Sequence, residues 1–248
     1  MKQAKKPILN ICHLYSKSMN TYGDRGNIIT LVKLCEWNEI KANVTEIEVG
    51  EKFDQKLYDM FFIGGGQDKN QERIAVDLLT KKTPLKKAVE TNKVFLLVCG
   101  SYQLFGYYFK TYEGIMLKGL KILDIHTIGS TKRKIGNVIV QLNTAEEILP
   151  KTLVGFENHS GNTFLHKGTT PLGKVVKGYG NNDTDKIEGI RYKNCFGTYL
   201  HGSLLPKNPH FAKYLISLAL KNKYGKDFSL DCNNDLELQA HQFILDSR

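Results

Sequence analysis

No apolar run in the sequence is long enough to span a bilayer, which argues against a membrane-crossing helix. Its five cysteines (Cys12, Cys35, Cys99, Cys195, Cys232) form no C-x-x-C pair and no Cys/His cluster at zinc spacing. A zinc site or disulfide framework is therefore not expected, and reduced thiols in the cytoplasm are. The basic start, Met1 to Pro7, is followed by no signal-peptide h-region. Neither G-x-x-x-x-G-K-[ST] nor G-x-G-x-x-G occurs, so the chain has no phosphate loop with which to activate a carboxylate, and no cofactor is expected in it. Internal repeats and low-complexity stretches are missing as well. Acidic residues are the scarcer charge, 25 Asp+Glu against 35 Lys+Arg, for a net +10. The lysines are scattered and no nucleic-acid motif accompanies them. A solvated lysine-rich surface accounts for them, and a softer alternative is attraction to an anionic partner or to a substrate held at a membrane surface.

What is present reads as one α/β domain over residues 1–248, ending in a helical tail. Hydrophobic content of 41% is that of a soluble enzyme. Strands are expected at Ile8 to Leu14, Val44 to Val49, Tyr58 to Ile63, Val94 to Val98, within the turn and strand of Gly119 to Thr127, at Ile135 to Leu142, Leu153 to Phe156, and Cys195 to His201. Helices are expected from near Ile28, capped by Asp24 or Asn27, then at Gln67 to Lys81, from Pro84, after Cys99, at Phe211 to Lys221, and near Leu236 to Leu245. Ile74, Val76, Leu78 and Leu79 make the apolar side of the second of these. The glycine-rich stretch from Val175 to Ile190 reads as loop. Strands alternating with helices predict a mostly parallel, doubly wound sheet.

The chemistry concentrates at Val94-Phe95-Leu96-Leu97-Val98-Cys99-Gly100. Five apolar residues without alternation suit a strand buried on both faces. A cysteine on the tight turn into the next helix would have its sulfur raised above the sheet edge, over a helix N-terminus that lowers a thiol pKa. The bland alternative is one more buried cysteine. Gly64-Gly65-Gly66 and His201 also fall at expected carboxyl ends of strands, the edge where open α/β sheets bind ligands. A cysteine nucleophile needs a base, usually histidine, and the oxyanion it generates could be held by the N–H of Gly100 and one from the glycine turn.

Strand-Cys-Gly-x-Tyr-Gln-helix with a distant Gly-Thr-Tyr-Leu-His-Gly resembles the class I glutamine amidotransferases, and within them the cobyric-acid-synthase-type branch, where Gly155-Phe156-Glu157-Asn158-His159-x-Gly161 recurs. Adding Tyr22-Gly23-Asp24-Arg25-Gly26-Asn27, Phe61 to Gly66, Gly178 to Asn182 and Tyr199 to Pro206, the full set resembles the glutaminase subunits of lipid II isoglutaminyl synthases. The resemblance implies a flavodoxin-like fold, Cys99 as nucleophile, His201 as base and Arg133 as the arginine that holds L-glutamine. It implies a MurT-like, Mur-ligase-related partner in a heterodimer, which would hold ATP and Mg and use the ammonia on lipid II. Gly65, Gly66 and Gly100 are expected near the substrate. Gln103 either contacts glutamine or lies on the helix surface.

Leu97 and Ser101 stand where a broader G-x-C-x-G elbow has glycines. A His-x-Glu triad would place an acid two residues after His201, where Ser203 stands instead. The orienting acid is therefore expected from another chain, because no spacing aims Asp24, Glu157, Asp183 or Asp185 at His201. Glu157, Asn158 and His159 either line the site or cap a strand end. Lys132 and Lys134 read as surface lysines, His126, His166, His210 and His241 as ordinary, and Tyr107 and Tyr108 as packing. Competing functions are a stand-alone cysteine hydrolase of the γ-glutamyl peptidase type, a cobyric-acid-type amidotransferase subunit, and a binding subunit whose cysteine is incidental.

Overall fold

The computed structural model of the chain describes residues 6–66, 68–143, 148–231 and 234–247. The expected helix start at Gln67, most of the basic N-terminal stretch and Cys232 lie outside the described residues. In chain order the elements are β1 (Ile8–Leu14), α1 (Arg25–Trp37), β2 (Lys41–Ile47), β3 (Met60–Ile63), α2 (Asp68–Thr80), α3 (Lys82–Glu90), β4 (Val94–Val98) and α4 (Gly100–Phe105). Six strands follow with no helix between them: β5 (Tyr108–Lys110), β6 (Met116–Lys118), β7 (Ile125–Leu142), β8 (Thr152–Leu165), β9 (Gly173–Lys177) and β10 (Ile187–Glu188). The chain closes with β11 (Ile190–Tyr192), β12 (Cys195–Thr198), α5 (Pro209–Tyr224) and α6 (Asp235–Asp246).

The first sheet has the order β11-β12-β4-β3-β1-β2 and is parallel except for the edge strand β11. Its middle is apolar on both faces: every residue of β3 and of β4 is buried. Phe61 stacks on Phe95 with ring centroids 4.4 Å apart, across paired strands. Because the strands are parallel, Ile63, Val98 and Thr198 end at one edge. The glycine turn, Cys99 and His201 therefore emerge together. α1 turns Ile28, Leu31, Leu34 and Cys35 to the core. Among the described side chains of α2 the buried ones are Ile74, Ala75, Asp77 and Leu78, whereas Val76 and Leu79 of the expected apolar side are exposed; two residues from Ile74 is more than half a helical turn away.

The second sheet, β10-β9-β7-β5-β6 with β8 on β7, is mainly antiparallel and enlarges on the expected short strands. β7 and β8 form a long hairpin whose β8 alternates buried and half-buried residues, the signature of a strand covered on one side. Glycines at 129, 136, 155 and 161 fragment this pattern in the sequence, so it reads as shorter pieces. The stretch expected as loop contains β9 and β10 at its ends. The two sheets meet at His201, whose N–H donates to the Phe156 carbonyl at 2.7 Å. Among the described residues no helix is long and apolar enough to cross a membrane.

Candidate active site

Cys99 occupies the single residue between β4 and α4 at φ 53° and ψ −106°, a conformation that costs a side-chain-bearing residue energy. The neighbours hold it there: its N–H donates to Thr198 at the end of β12 (2.8 Å), and Ser101 Oγ bridges the carbonyls of Ile63 and Val98. Ser101 thus has a task that glycine could not perform. The strained turn lifts the sulfur to the cavity while Cys12, Cys35 and Cys195 stay inside the core, where burial pushes each thiol pKa up, to about 12 for Cys35.

His201 is fully buried, three residues beyond β12. Glu188, also buried, fixes this segment by accepting from the Tyr199 N–H (2.6 Å) and from Thr198 Oγ1, and burial raises its own pKa to about 8. Burial alone would depress the imidazole, but the Cys99 sulfur and the Asp24 carboxylate outweigh it and raise the pKa. Asp24 Oδ1 lies 3.5 Å from His201 Nδ1, and Asp24 is completely buried. An in-chain carboxylate therefore stands where the sequence reading looked to a partner chain. Asp24 sits at the N-cap of α1 yet makes no side-chain cap bond. Its Oδ2 instead accepts the Gly65 N–H at 2.7 Å, and the Arg25 N–H is satisfied by Asn20. Asn27, the other expected cap, accepts the Leu205 N–H.

Opposite Cys99 the second sheet supplies the wall of a cavity of about 260 Å³, bordered by Tyr22, Gly66, Cys99, Gln103, Arg133 and His201 among others. Arg133 reaches it through a bulge. Gly129 pairs with Gly161 and Lys134 with His159, so residues 130–133 of β7 loop out against Ser160 alone. Its guanidinium is steadied by Asn158 Oδ1 at 2.5 Å and the Tyr22 hydroxyl at 3.1 Å. Asn158 and His159 line the cavity, while Glu157 turns away and accepts the N–H groups of Tyr179 and Gly180. The His159 ring stacks on Tyr199 at 3.6 Å, and burial lowers its pKa.

The remaining expected site residues divide. Gln103 is buried rather than on the surface: its amide donates to the Tyr199 hydroxyl (3.0 Å), and its Oε1 has no hydrogen-bond partner among the described residues. Gly100 opens α4 immediately after the elbow. Gly66 borders the cavity, but the Gly65 N–H is committed to Asp24, and a Cβ on Gly65 would lie 2.5 Å from His201 Cε1. Tyr22 and Glu188 are site-supporting residues with no individual role in the sequence reading, and Asp24, weighed there as a helix cap and as an in-chain acid without a spacing to aim it, is the carboxylate beside His201. Tyr22 and Asp24 stand inside the Tyr22 to Asn27 motif, which is the signal the sequence offers for them. His126 and His166 pair with each other at 2.9 Å, and His210 and His241 pack ring to ring, all of them away from the cavity.

Residues 10–209 match the CobB/CobQ-like glutamine amidotransferase domain. The chain is 43% identical to the lipid II isoglutaminyl synthase (glutamine-hydrolyzing) subunit GatD of Staphylococcus aureus, over 96% of this chain and 95% of that protein. It is 41% identical to the subunit of the same name from Streptococcus pneumoniae, over 92% of this chain and 86% of that one. In three dimensions it is similar to a glutamine amidotransferase from Thermotoga maritima, with a TM-score of 0.55 at 15% identity, covering 95% of this chain and 93% of that one. That likeness speaks to the fold alone. By the extent of the domain match and the identity to these relatives, the chain belongs to the CobB/CobQ-like glutamine amidotransferase family.

Proposed function

We infer that this chain is the glutaminase subunit of a lipid II isoglutaminyl synthase, hydrolysing L-glutamine and handing the ammonia to a second subunit. The observation that carries the reading is a cysteine on a strained elbow beside a buried histidine, in a chain that matches proteins of that name over nearly their whole length. In the mechanism, Cys99 Sγ as thiolate attacks the side-chain amide carbon of glutamine, and the carbonyl electron pair moves to oxygen, facing the Gly100 N–H. His201, protonated, gives its proton to the amide nitrogen. The C–N bond breaks and ammonia leaves a γ-glutamyl thioester on Cys99. Water then attacks the thioester, giving a proton to His201. The C–S bond breaks, glutamate departs, and thiolate and imidazolium are restored. Arg133 holds the α-carboxylate of glutamine, and Gln103 Oε1 offers an acceptor to the substrate.

ATP and Mg belong to the partner in this scheme, a MurT-like, Mur-ligase-related chain that activates the α-carboxyl of D-isoglutamate in lipid II. The work takes place in the cytoplasm. The test uses the co-purified pair with amide-¹⁵N glutamine, ATP and lipid II. The label is expected in the lipid II amide, and Cys99→Ala is expected to abolish both transfer and glutamine hydrolysis with the fold retained. An electrophilic glutamine analogue should modify Cys99 and spare Cys12, Cys35 and Cys195. Glutamine left intact by the complex, or a fully active Cys99→Ala protein, would overturn the reading.

A further inference from the structure

We propose that Tyr22 is a positioning residue for the α-carboxylate of the substrate, acting through Arg133, with the glutaminase reading supplying the identity of that substrate. A guanidinium offers five N–H donors in a rigid fork. Arg133 spends its Nε–H on Asn158 Oδ1 at 2.5 Å and one Nη2–H on the Tyr22 hydroxyl at 3.1 Å. The other three N–H groups lie at the Nη end of the fork, the edge that meets a carboxylate with two parallel bonds. Arginine has no acceptor, so the tyrosine oxygen accepts in this contact and keeps its own hydrogen to donate to the same carboxylate. Tyr22, Arg133 and Asn158 all border the cavity that Cys99 and His201 also line.

The Tyr22 ring makes a second contact, standing edge-on to His201 with centroids 5.1 Å apart at 72°. One side chain thus touches both the cation that takes the carboxylate end of glutamine and the imidazole that acts at its amide end. Arg133 belongs to the second sheet and His201 to the end of the first, so Tyr22 ties the two walls of the cavity together. The backbone shows that this placement is enforced. Tyr22 has φ 58° and ψ 29°, a left-handed conformation that bulky side chains rarely adopt. At 41% exposed, the ring is not there to be buried. Its neighbours are pinned from two sides: the Thr21 N–H donates to the Gly65 carbonyl at 3.1 Å, and Ser203 Oγ donates to the Gly23 carbonyl at 2.5 Å. A Cβ on Gly26 would lie 2.2 Å from Ser203 Oγ, so the loop has little room to relax. The glycine turn and the turn after His201 therefore hold Tyr22 in a strained backbone that keeps its hydroxyl on Arg133 and its ring on His201.

The test uses the chain co-purified with its partner subunit. Steady-state kcat and KM are measured for L-glutamine. L-glutamine and 4-aminobutanamide, which has the same amide end and no α-carboxylate, are each titrated as protectants of Cys99 against iodoacetamide, read by peptide mass spectrometry. Tyr22→Phe keeps the ring and removes the hydroxyl. It is expected to raise KM and the half-protecting concentration for L-glutamine by about 10-fold, with kcat within about twofold of wild type. Protection by 4-aminobutanamide is expected to stay unchanged, whereas a general loosening of the loop would weaken both protectants alike. The same exchange made on top of Arg133→Lys is expected to add less than about twofold, because the effect runs through the guanidinium. A folded Tyr22→Phe protein with wild-type KM and protection would overturn the proposal, as would an equal loss for the two protectants. If Tyr22→Phe does not fold, Tyr22→Asn decides, since asparagine tolerates the left-handed backbone, and wild-type KM and protection there overturn it. A wild-type complex that hydrolyses glutamine with a KM indifferent to Tyr22→Phe removes Tyr22 and leaves the glutaminase reading standing. L-glutamine protection that weakens in Tyr22→Phe, in a complex that never turns glutamine over, upholds Tyr22 and sinks that reading.

Discussion

Three adjacent cations on β7 meet three different environments, and each environment sets an expected mutant. Lys132 is exposed and paired with Asp183 at 2.8 Å, a surface ion pair of little energetic weight. Arg133 projects from the bulge into the cavity, held by Asn158 and Tyr22. Lys134 is 1% exposed, its ammonium donating to Asn162 Oδ1 at 2.7 Å, and burial lowers its pKa. Arg133→Ala should raise KM for glutamine by roughly 10- to 100-fold, the value of a charge-assisted bidentate contact, with Arg133→Lys in between. Lys132→Ala should stay within about twofold of wild type, as expected of an exposed pair. The reading of Lys134 as a surface lysine is corrected by its burial: Lys134→Ala should leave KM near wild type but lower thermal stability by about 1–3 kcal/mol by leaving Asn162 unpaired. Steady-state kinetics and melting curves on the four variants check all of this, and equal small effects at all three positions would remove Arg133 from the site.

At the scale of elements, the turn after β3 shows why a run of glycines was needed. Gly65 has an ordinary backbone, so its requirement is for space: a Cβ there would sit 2.5 Å from His201 Cε1 and 3.2 Å from Cys99 Cβ. Gly65→Ala is expected to fold, to push the imidazole aside, and to cost about 100-fold in kcat, the usual penalty for a displacement near 1 Å at a reacting group. A far-ultraviolet CD spectrum and kcat measured on the same preparation test it, and unchanged kcat would show that the ring has room to move. The glycine turn was legible from its place at a strand end. That its middle residue leaves room beside both Cys99 and His201, and ties down Asp24 with its N–H, was not. The bulge on β7 was equally hidden, because three extra residues can be recognised only against the partner strand.

Across the whole molecule, acid stability follows from histidines buried as neutral rings. Burial depresses His210 to about 4, and its Nε2 is engaged with the Thr152 carbonyl. His241, on α6, is likewise lowered by burial and bridges Thr152 and the Lys207 carbonyl. The unfolded chain, with histidines near 6.5, binds more protons than the folded one between about pH 6.5 and 4. Stability from His210 is therefore full above that window and falls as pH drops through it, by on the order of 3 kcal/mol. Urea melts at pH 7.5 and pH 5 should show the wild type losing stability, and His210→Gln losing measurably less. An identical loss in the two proteins would remove His210 from the account.

By itself the chain's sequence determined the parallel sheet, the elbow and the edge at which the chemistry gathers. Those follow from local rules: an unbroken apolar run makes a strand buried on both faces, and parallel strands bring their carboxyl ends together. The tertiary structure alone decided which acid faces His201, how Arg133 reaches the cavity, that Lys134 is interior, and that a second, antiparallel sheet forms the facing wall. Each depends on partners remote along the chain. Asp24 is oriented by a residue 41 positions away, and the turn that carries it is anchored by one 180 positions away. A side chain at a helix start will cap that helix unless a stronger donor is brought to it, and only the folded chain brings the Gly65 N–H to Asp24.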